Sequence, residues 1–134
     1  MDLLTTILTC SLYASDDALV RAIAEGPAGG NPYVVVNPVS DPAGVDPPPP
    51  PTGAKEALSR AQDLIGGRAR PLLGLLQLPP AWLDAFGQPL ASAFDPCTNV
   101  AVGTAMLSQF DYECADRRAE RHSPALERTN RRAC

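Results

Sequence analysis

The residue best suited to chemistry in this chain is Glu25, which ends a segment with helical spacing. Apolar side chains recur at helical spacing over 16–25, Ser15 is a good N-cap, and Gly26–Pro27 stops the helix. A carboxyl group beside a loop can act as a general acid, because it can deliver a proton to a bond that is being cleaved. The same Glu25 is also compatible with a solvated residue that merely ends a helix.

Three further short segments combine polar and apolar residue types. They are Asn31–Pro32–Tyr33 (NPY), Gly74–Leu75–Leu76–Gln77 (GLLQ), and the hexapeptide FDPCTN over 94–99. Taken alone, GLLQ is compatible with plain core packing. Within the hexapeptide, Asp95 is interpreted as an N-cap or turn residue. One interpretation left open for Asn99 is that it serves only as a cap or turn residue.

The elements that must position these residues are mostly helices. A short β-branched strand is predicted over 33–37, between Pro32 and Pro38. Residues 39–53 form a proline-rich loop whose run of prolines over 47–51 is interpreted as a stiff spacer rather than a docking segment. The remaining predicted elements are a helix over 54–65, a short apolar stretch over 72–78, helical turns over 81–86 and a core helix over 99–113.

Composition and charge favour a single globular domain and argue against binding of nucleic acid. The chain has 134 residues, an apolar share of 45% and a net charge of −4, which suits one domain over 1–134. An acidic body argues against a nucleic-acid-binding protein, since phosphate contacts need clustered basic charge. The arginine-rich tail over 115–134 is interpreted as a solvated helix face that frays or continues in a longer chain.

The cysteines argue against a structural zinc site. Four of them stand at positions 10, 97, 114 and 134, none in a Cys-x-x-Cys pair, and His122 is the only histidine. We therefore predict no metal ligands. An even number of cysteines permits disulfides in three pairings, among which the spacing does not choose. Cys97 is equally compatible with a buried free thiol.

The apolar segment Leu3–Tyr13 bears on export. It is too short to span a bilayer, and no basic residues precede it as a secretory signal would require. We interpret it as a first core helix or strand and predict no membrane span.

The order of NPY, GLLQ and FDPCTN behind a helix-ending glutamate resembles the lytic transglycosylases of type IV secretion and conjugation systems. These belong to the wider soluble-lytic-transglycosylase, lysozyme-like group. Members of the family read Glu-Ser, a short turn and Asn-Pro, then Gly-Leu-Met-Gln, then a segment like Phe-Asp-Pro-Cys-Thr-Asn. The similarity spans roughly residues 16–113.

This resemblance implies a mainly α, lysozyme-like α+β fold with helices around a glycan cleft and a small β element. It makes Glu25 the catalytic acid that cleaves the MurNAc–GlcNAc β-1,4 bond and leaves a 1,6-anhydro sugar, with no cofactor. By the same resemblance, Gln77 hydrogen-bonds the substrate or steadies the acid. Leu75 and Leu76 form an apolar wall, and Asn31 and Tyr33 shape the rim. The implied partners are peptidoglycan strands and secretion or conjugation proteins, and the implied location is the periplasm or cell envelope.

Departures from the family pattern keep two other interpretations open. Gly26 stands where the family has serine, the turn from Glu25 to Asn31 is longer, and no segment like Ala-Tyr-Asn-Gly follows the core helix. Tyr112 is a poor substitute for the tyrosine of that segment. In the second interpretation, the chain is a catalytically degenerate module that binds peptidoglycan or a secretion partner without cleaving the glycan. A third interpretation is a helical interaction module that docks through the proline run or the arginine-rich tail.

Overall fold

Helices build most of the protein, and one small antiparallel sheet joins two of its loops. The computed structural model describes residues 2–11, 17–26, 28–38 and 48–120. The helices are α1 (Leu3–Cys10), α2 (Asp17–Glu25), α3 (Ala54–Gly66), α4 (Pro80–Ala85), a 3-10 helix (Leu90–Phe94) and α5 (Pro96–Glu120). The strands are β1 (Val35–Val36) and β2 (Leu72–Leu73). The mainly helical class predicted from the sequence is confirmed.

Helix α3 follows its predicted span of 54–65 almost residue for residue. Ala57 and Ala61, one turn apart, are fully buried and give the helix a narrow apolar face that packs closely. At its start, the Glu56 carboxylate accepts hydrogen bonds from Thr52 N (3.1 Å) and Thr52 Oγ1 (3.0 Å). These bonds hold the pKa of Glu56 below its usual value.

Helix α5 begins at a side-chain cap. Asp95 Oδ2 accepts hydrogen bonds from Thr98 N (3.0 Å) and Thr98 Oγ1 (2.7 Å), which confirms the predicted capping role of Asp95. Pro96 is tolerated in the first turn because its missing N–H needs no partner there. The helix therefore starts before the predicted residue 99 and continues beyond 113, through part of the charged tail.

The apolar segment Leu3–Tyr13, predicted to be a core helix or strand, begins with the core helix α1. Ile7 is fully buried and Cys10 is nearly so, and α1 packs mainly against α5. A disulfide joins Cys10, at the end of α1, to Cys97 in the first turn of α5, so Cys97 is not a free thiol. Cys114 is also disulfide-bonded. In the described parts of the chain, no helix has the length and apolar character needed to cross a bilayer.

The sheet is shorter than the predicted strand over 33–37. Val35 pairs with Leu73 and Val36 with Leu72 in antiparallel register. Tyr33 lies outside the ladder because its N–H donates to the Asn31 side chain (2.9 Å) instead of to a strand.

Several predicted features fall wholly or partly outside the described residues: Ser15 as an N-cap, 39–47 of the proline-rich loop and the tail after 120. The end of the proline run is described. Pro51 is buried, and the Pro49 carbonyl accepts a hydrogen bond from Arg60 Nη1 of α3 (2.7 Å). The Arg60–Pro49 hydrogen bond joins this part of the run to α3.

Candidate active site

The GLLQ segment forms a tight turn that closes on itself. Leu73 and Leu78 exchange both backbone hydrogen bonds across it, at 3.0 Å and 2.9 Å, and Gln77 N donates to the Gly74 carbonyl at 3.1 Å. The predicted apolar stretch over 72–78 is therefore a short strand followed by this turn. In addition, Gly74 N donates to the Val34 carbonyl at 2.8 Å. The residue that directly follows the NPY segment is thus bonded to the GLLQ turn.

Asn99 of the FDPCTN segment supports the GLLQ turn from the core side. Its side-chain amide is fully buried. Nδ2 donates to the carbonyls of Leu73 (3.0 Å) and Ala93 (2.8 Å), and Oδ1 accepts from Leu76 N (2.8 Å). Both amide hydrogens and the oxygen are therefore used. The interpretation of Asn99 as only a cap or turn residue was wrong, because its partners lie in other elements.

Two glycines make room for this arrangement. Gly74 has a φ of +75°, and a Cβ on it would overlap both Asn99 Nδ2 and the Ala93 carbonyl oxygen. A Cβ on Gly103 of α5 would press against the Leu76 side chain and lie 3.2 Å from Leu78 Cδ2. Asn99 and Gly103 are one helical turn apart, so a single face of α5 receives the GLLQ turn.

Gln77 has a backbone conformation that is rare for its type. Its φ is +54°, in the left-handed region that side chains other than glycine and asparagine seldom occupy. The side chain is half-buried and makes no hydrogen bond to any residue that the structure describes. Its amide donors and acceptor are therefore available for a ligand. Backbone strain of this kind gathers at functional sites.

Leu75 and Leu76 point into the protein. Their exposed fractions are 3% and 7%, and both belong to the main hydrophobic core. They anchor the turn by burying apolar surface. Contact between substrate and their side chains, as an apolar wall beside the acid, stays a prediction.

The loop between α2 and β1 folds back onto the end of α2. Gly30 N donates to the Ala24 carbonyl at 2.8 Å, and Asn31 N donates to the Ala28 carbonyl at 3.0 Å. Gly29 and Gly30 adopt φ values of +58° and +75°, which allow this tight path. The glycines thus accommodate the longer turn noted in the sequence.

Asn31 and Tyr33 lie on this loop and are both half-buried. Asn31 Oδ1 accepts from Tyr33 N, and the Tyr33 ring packs against the hydrophobic core. Because the loop is bonded to α2 at one end and to the GLLQ turn at the other, these two residues lie between the two elements. Their predicted role at a cleft rim is compatible with this position and stays a prediction.

Glu25 is the last residue of α2, and its side chain is 49% exposed. Arg21 Nε, one turn earlier, donates to Glu25 Oε1 at 2.8 Å. This hydrogen bond, and then the negative charge of Glu25, raise the pKa of Arg21. Exposed pairs of this spacing are weak, so a ligand can displace the guanidinium from the carboxylate.

Tyr112 does not join these residues. It is 70% exposed on α5 and lines a surface groove with Met106, Gln109 and Phe86, the residue that follows α4. This groove includes no residue of the GLLQ turn or of the NPY segment.

Comparison of the chain with protein-family models, with curated proteins and with solved structures gives no match. Across the described ranges, no group of three or more His, Cys, Asp or Glu side chains could hold a metal ion. The structure thus places the residue after the NPY segment against a turn held by a buried amide, and Glu25 ends the helix to which the same loop is bonded at Ala24.

Proposed function

We propose that this protein is a peptidoglycan lytic transglycosylase domain in which Glu25 is the catalytic acid. One observation carries the proposal. NPY, GLLQ and FDPCTN are separate in sequence, yet GLLQ is bonded to both other regions: Gly74 N donates to the carbonyl of Val34, which directly follows NPY, and Leu76 N donates to Asn99 Oδ1. A chance likeness of three short segments gives no reason for them to meet, whereas a shared active-site architecture does.

The number of carboxylates favours a transglycosylase over a hydrolase. Glycosidases that hydrolyse their substrate commonly pair two carboxylates across the bond. Over 25–37, 72–78 and 94–99, the segments that build the site, the acidic residues are Glu25 and Asp95. Asp95 is engaged as the cap of α5, where its Oδ2 accepts hydrogen bonds from Thr98 N and Oγ1, so Glu25 is the carboxylate proposed for catalysis. The proposed reaction needs no second carboxylate, because the sugar supplies its own nucleophile.

In this reaction, protonated Glu25 delivers its proton to the bridging oxygen as the bond from C1 of MurNAc breaks. The resulting carboxylate then takes the proton of the C6 hydroxyl while O6 bonds to C1. The acid is regenerated, the product is a 1,6-anhydro sugar and water is not consumed. Gln77, whose side-chain amide has free donors and an acceptor, orients the sugar beside the acid. The expected role is local opening of the cell wall for a conjugation or secretion apparatus.

The test is a digest of purified peptidoglycan by the oxidised wild type and by Glu25→Gln, with mass spectrometry of the products. Glu113→Gln is the matched control, since Glu113 is exposed on α5 far along the chain from the site segments. Anhydro-muropeptides from the wild type and the control, but not from Glu25→Gln, are expected. Products with reducing ends would instead mean hydrolysis and a second carboxylate.

The second candidate is a module that binds glycan strands without cleaving them. It is favoured by the position of Tyr112, which is exposed on α5 and lines a groove that includes no residue of the GLLQ turn. This candidate predicts that wild type and Glu25→Gln release no products and co-sediment equally with intact peptidoglycan. Absence of both cleavage and co-sedimentation would favour a helical interaction module.

A further inference from the structure

The Asn99 side chain makes three hydrogen bonds to residues outside its own helix, α5. We propose that Asn99 is a positioning residue that fixes the backbone of the GLLQ turn and thereby holds Gln77 in the conformation that meets the substrate. The effect on catalysis rests on the proposed transglycosylase function. The effect on the turn does not.

Hydrogen bonds hold the backbone of both residues next to Gln77, Leu76 and Leu78. Asn99 Oδ1 holds Leu76 N, immediately before Gln77, while the bonds between Leu73 and Leu78 hold the residue immediately after it. Asn99 Nδ2 secures the Leu73 carbonyl at the base of the same turn. With both neighbours fixed, the left-handed φ of Gln77 is imposed on it by the surrounding structure.

The amide group is suited to this task in a way that few side chains are. It offers two donors and an acceptor in one plane, and here it satisfies three backbone groups in a site closed to water. A buried backbone group that loses its partner is costly, so the turn would rearrange to find another. The third partner, the Ala93 carbonyl, belongs to the 3-10 helix, so the turn is also tied to the segment that leads into α5.

Two substitutions separate the parts of this amide. Asn99→Asp keeps the shape and the oxygen that accepts from Leu76 N, but it removes both donors. Asn99→Leu has a similar volume and removes all three hydrogen bonds. Thr104→Val is the matched control, because Thr104 is fully buried on α5 and its hydroxyl donates to α5 carbonyls of Val100 (2.7 Å) and Ala101 (3.2 Å).

The first measurement is amide hydrogen exchange, followed residue by residue by NMR in the full, oxidised chain. We expect the Leu76 amide to exchange about tenfold faster or more in Asn99→Leu. A smaller rise is expected in Asn99→Asp, and none in Thr104→Val. Should Asn99→Leu not fold, the same ordering between Asn99→Asp and Thr104→Val decides the question. Unchanged exchange at Leu76 and Gln77 in the folded Asn99 variants would overturn the proposal.

The second measurement is the rate of anhydro-muropeptide release as a function of peptidoglycan concentration. A positioning role predicts that kcat falls about tenfold or more in Asn99→Leu while KM changes little, since Gln77 is misplaced rather than lost. Thr104→Val should keep wild-type kcat. Equal losses of kcat in Asn99→Leu and Thr104→Val would refute positioning and indicate general destabilisation.

The two proposals fail in different ways. A wild-type protein that releases no product contradicts the proposed function, and the exchange data still decide whether Asn99 holds the turn. An active wild type whose kcat survives Asn99→Leu contradicts the positioning role alone.

Discussion

Gly74 occupies a position in the candidate site that a side chain can take only by moving its neighbours. We expect Gly74→Ala to lower the free energy of unfolding by more than about 2 kcal/mol, because the left-handed φ and the overlap with Asn99 act together. Gly87→Ala is the matched control, since Gly87 has a φ of +64° with nothing within 4 Å of a Cβ. Chemical denaturation should give a smaller loss for Gly87→Ala, near the conformational cost alone. Equal losses would mean that the turn yields to the new methyl group.

The left-handed φ of Gln77 lowers the stability of the fold, and we expect its side chain to be needed for product release. Glycine relieves a left-handed φ, so Gln77→Gly is expected to raise the free energy of unfolding by about 0.5–1 kcal/mol while product release is lost. Arg68, which follows α3 with a φ of +64° and is exposed, offers the comparison. Arg68→Gly should stabilise by a similar amount and leave product release unchanged. Activity that survives Gln77→Gly would remove Gln77 from the site.

Among the larger elements, helix α3 shows what periodicity can predict. Its spacing predicts a helix over 54–65, and the helix spans Ala54–Gly66 because apolar residues recur on one face and glycines end it. Both signals are local, so the chain alone contains them. The same is true of Asp95, whose capping role follows from a residue type placed just before a helix.

The β element and the start of α5 show where local patterns stop being sufficient. The β-branched run over 33–37 predicts five strand residues, but only Val35–Val36 pair, since Asn31 captures the N–H of Tyr33. Helix α5 begins earlier than its apolar pattern because the Asp95 cap, and not the first apolar residue, sets its start. In both cases a side-chain hydrogen bond makes the element begin at a different residue from the one that the apolar pattern predicts.

The support of the GLLQ turn is the part of the site that the sequence pattern does not predict. Asn99 bonds partners 23 and 26 residues away along the chain, in Leu76 and Leu73, and no local signal encodes such pairs. One clue was present, because Asn99 shares a helical face with the apolar Val102 and with Gly103. A polar residue on a core-facing position must find a buried partner.

In the molecule as a whole, α5 is the central element. It packs against α1, α4 and the 3-10 helix, and its Asn99–Gly103 face receives the GLLQ turn. The Cys10–Cys97 disulfide joins α1 to its first turn, two residues before Asn99. The disulfide therefore ties the beginning of the described chain to the helix that supports the candidate site.

This linkage predicts a large effect of removing the disulfide. The bonded cysteines are 87 residues apart in sequence, so the bridge strongly restricts the unfolded chain. We expect Cys10→Ala with Cys97→Ala to lower the free energy of unfolding by about 2–4 kcal/mol, as measured by urea denaturation under oxidising conditions. Replacing both cysteines leaves no free thiol from this pair that could exchange with the disulfide of Cys114.

The same double variant separates global stability from the geometry of the turn. Ile7 still anchors α1 to the core without the bridge, so we expect the folded variant to keep slow exchange at the Leu76 amide well below its denaturation midpoint. The loss of stability should then appear as a denaturation midpoint at a lower urea concentration. Product release in the absence of denaturant should be unchanged. A variant as stable as the wild type would show that packing alone fixes α1. Fast exchange at Leu76 in the folded variant would mean that the bridge, and not Asn99 by itself, holds the start of α5 against the turn.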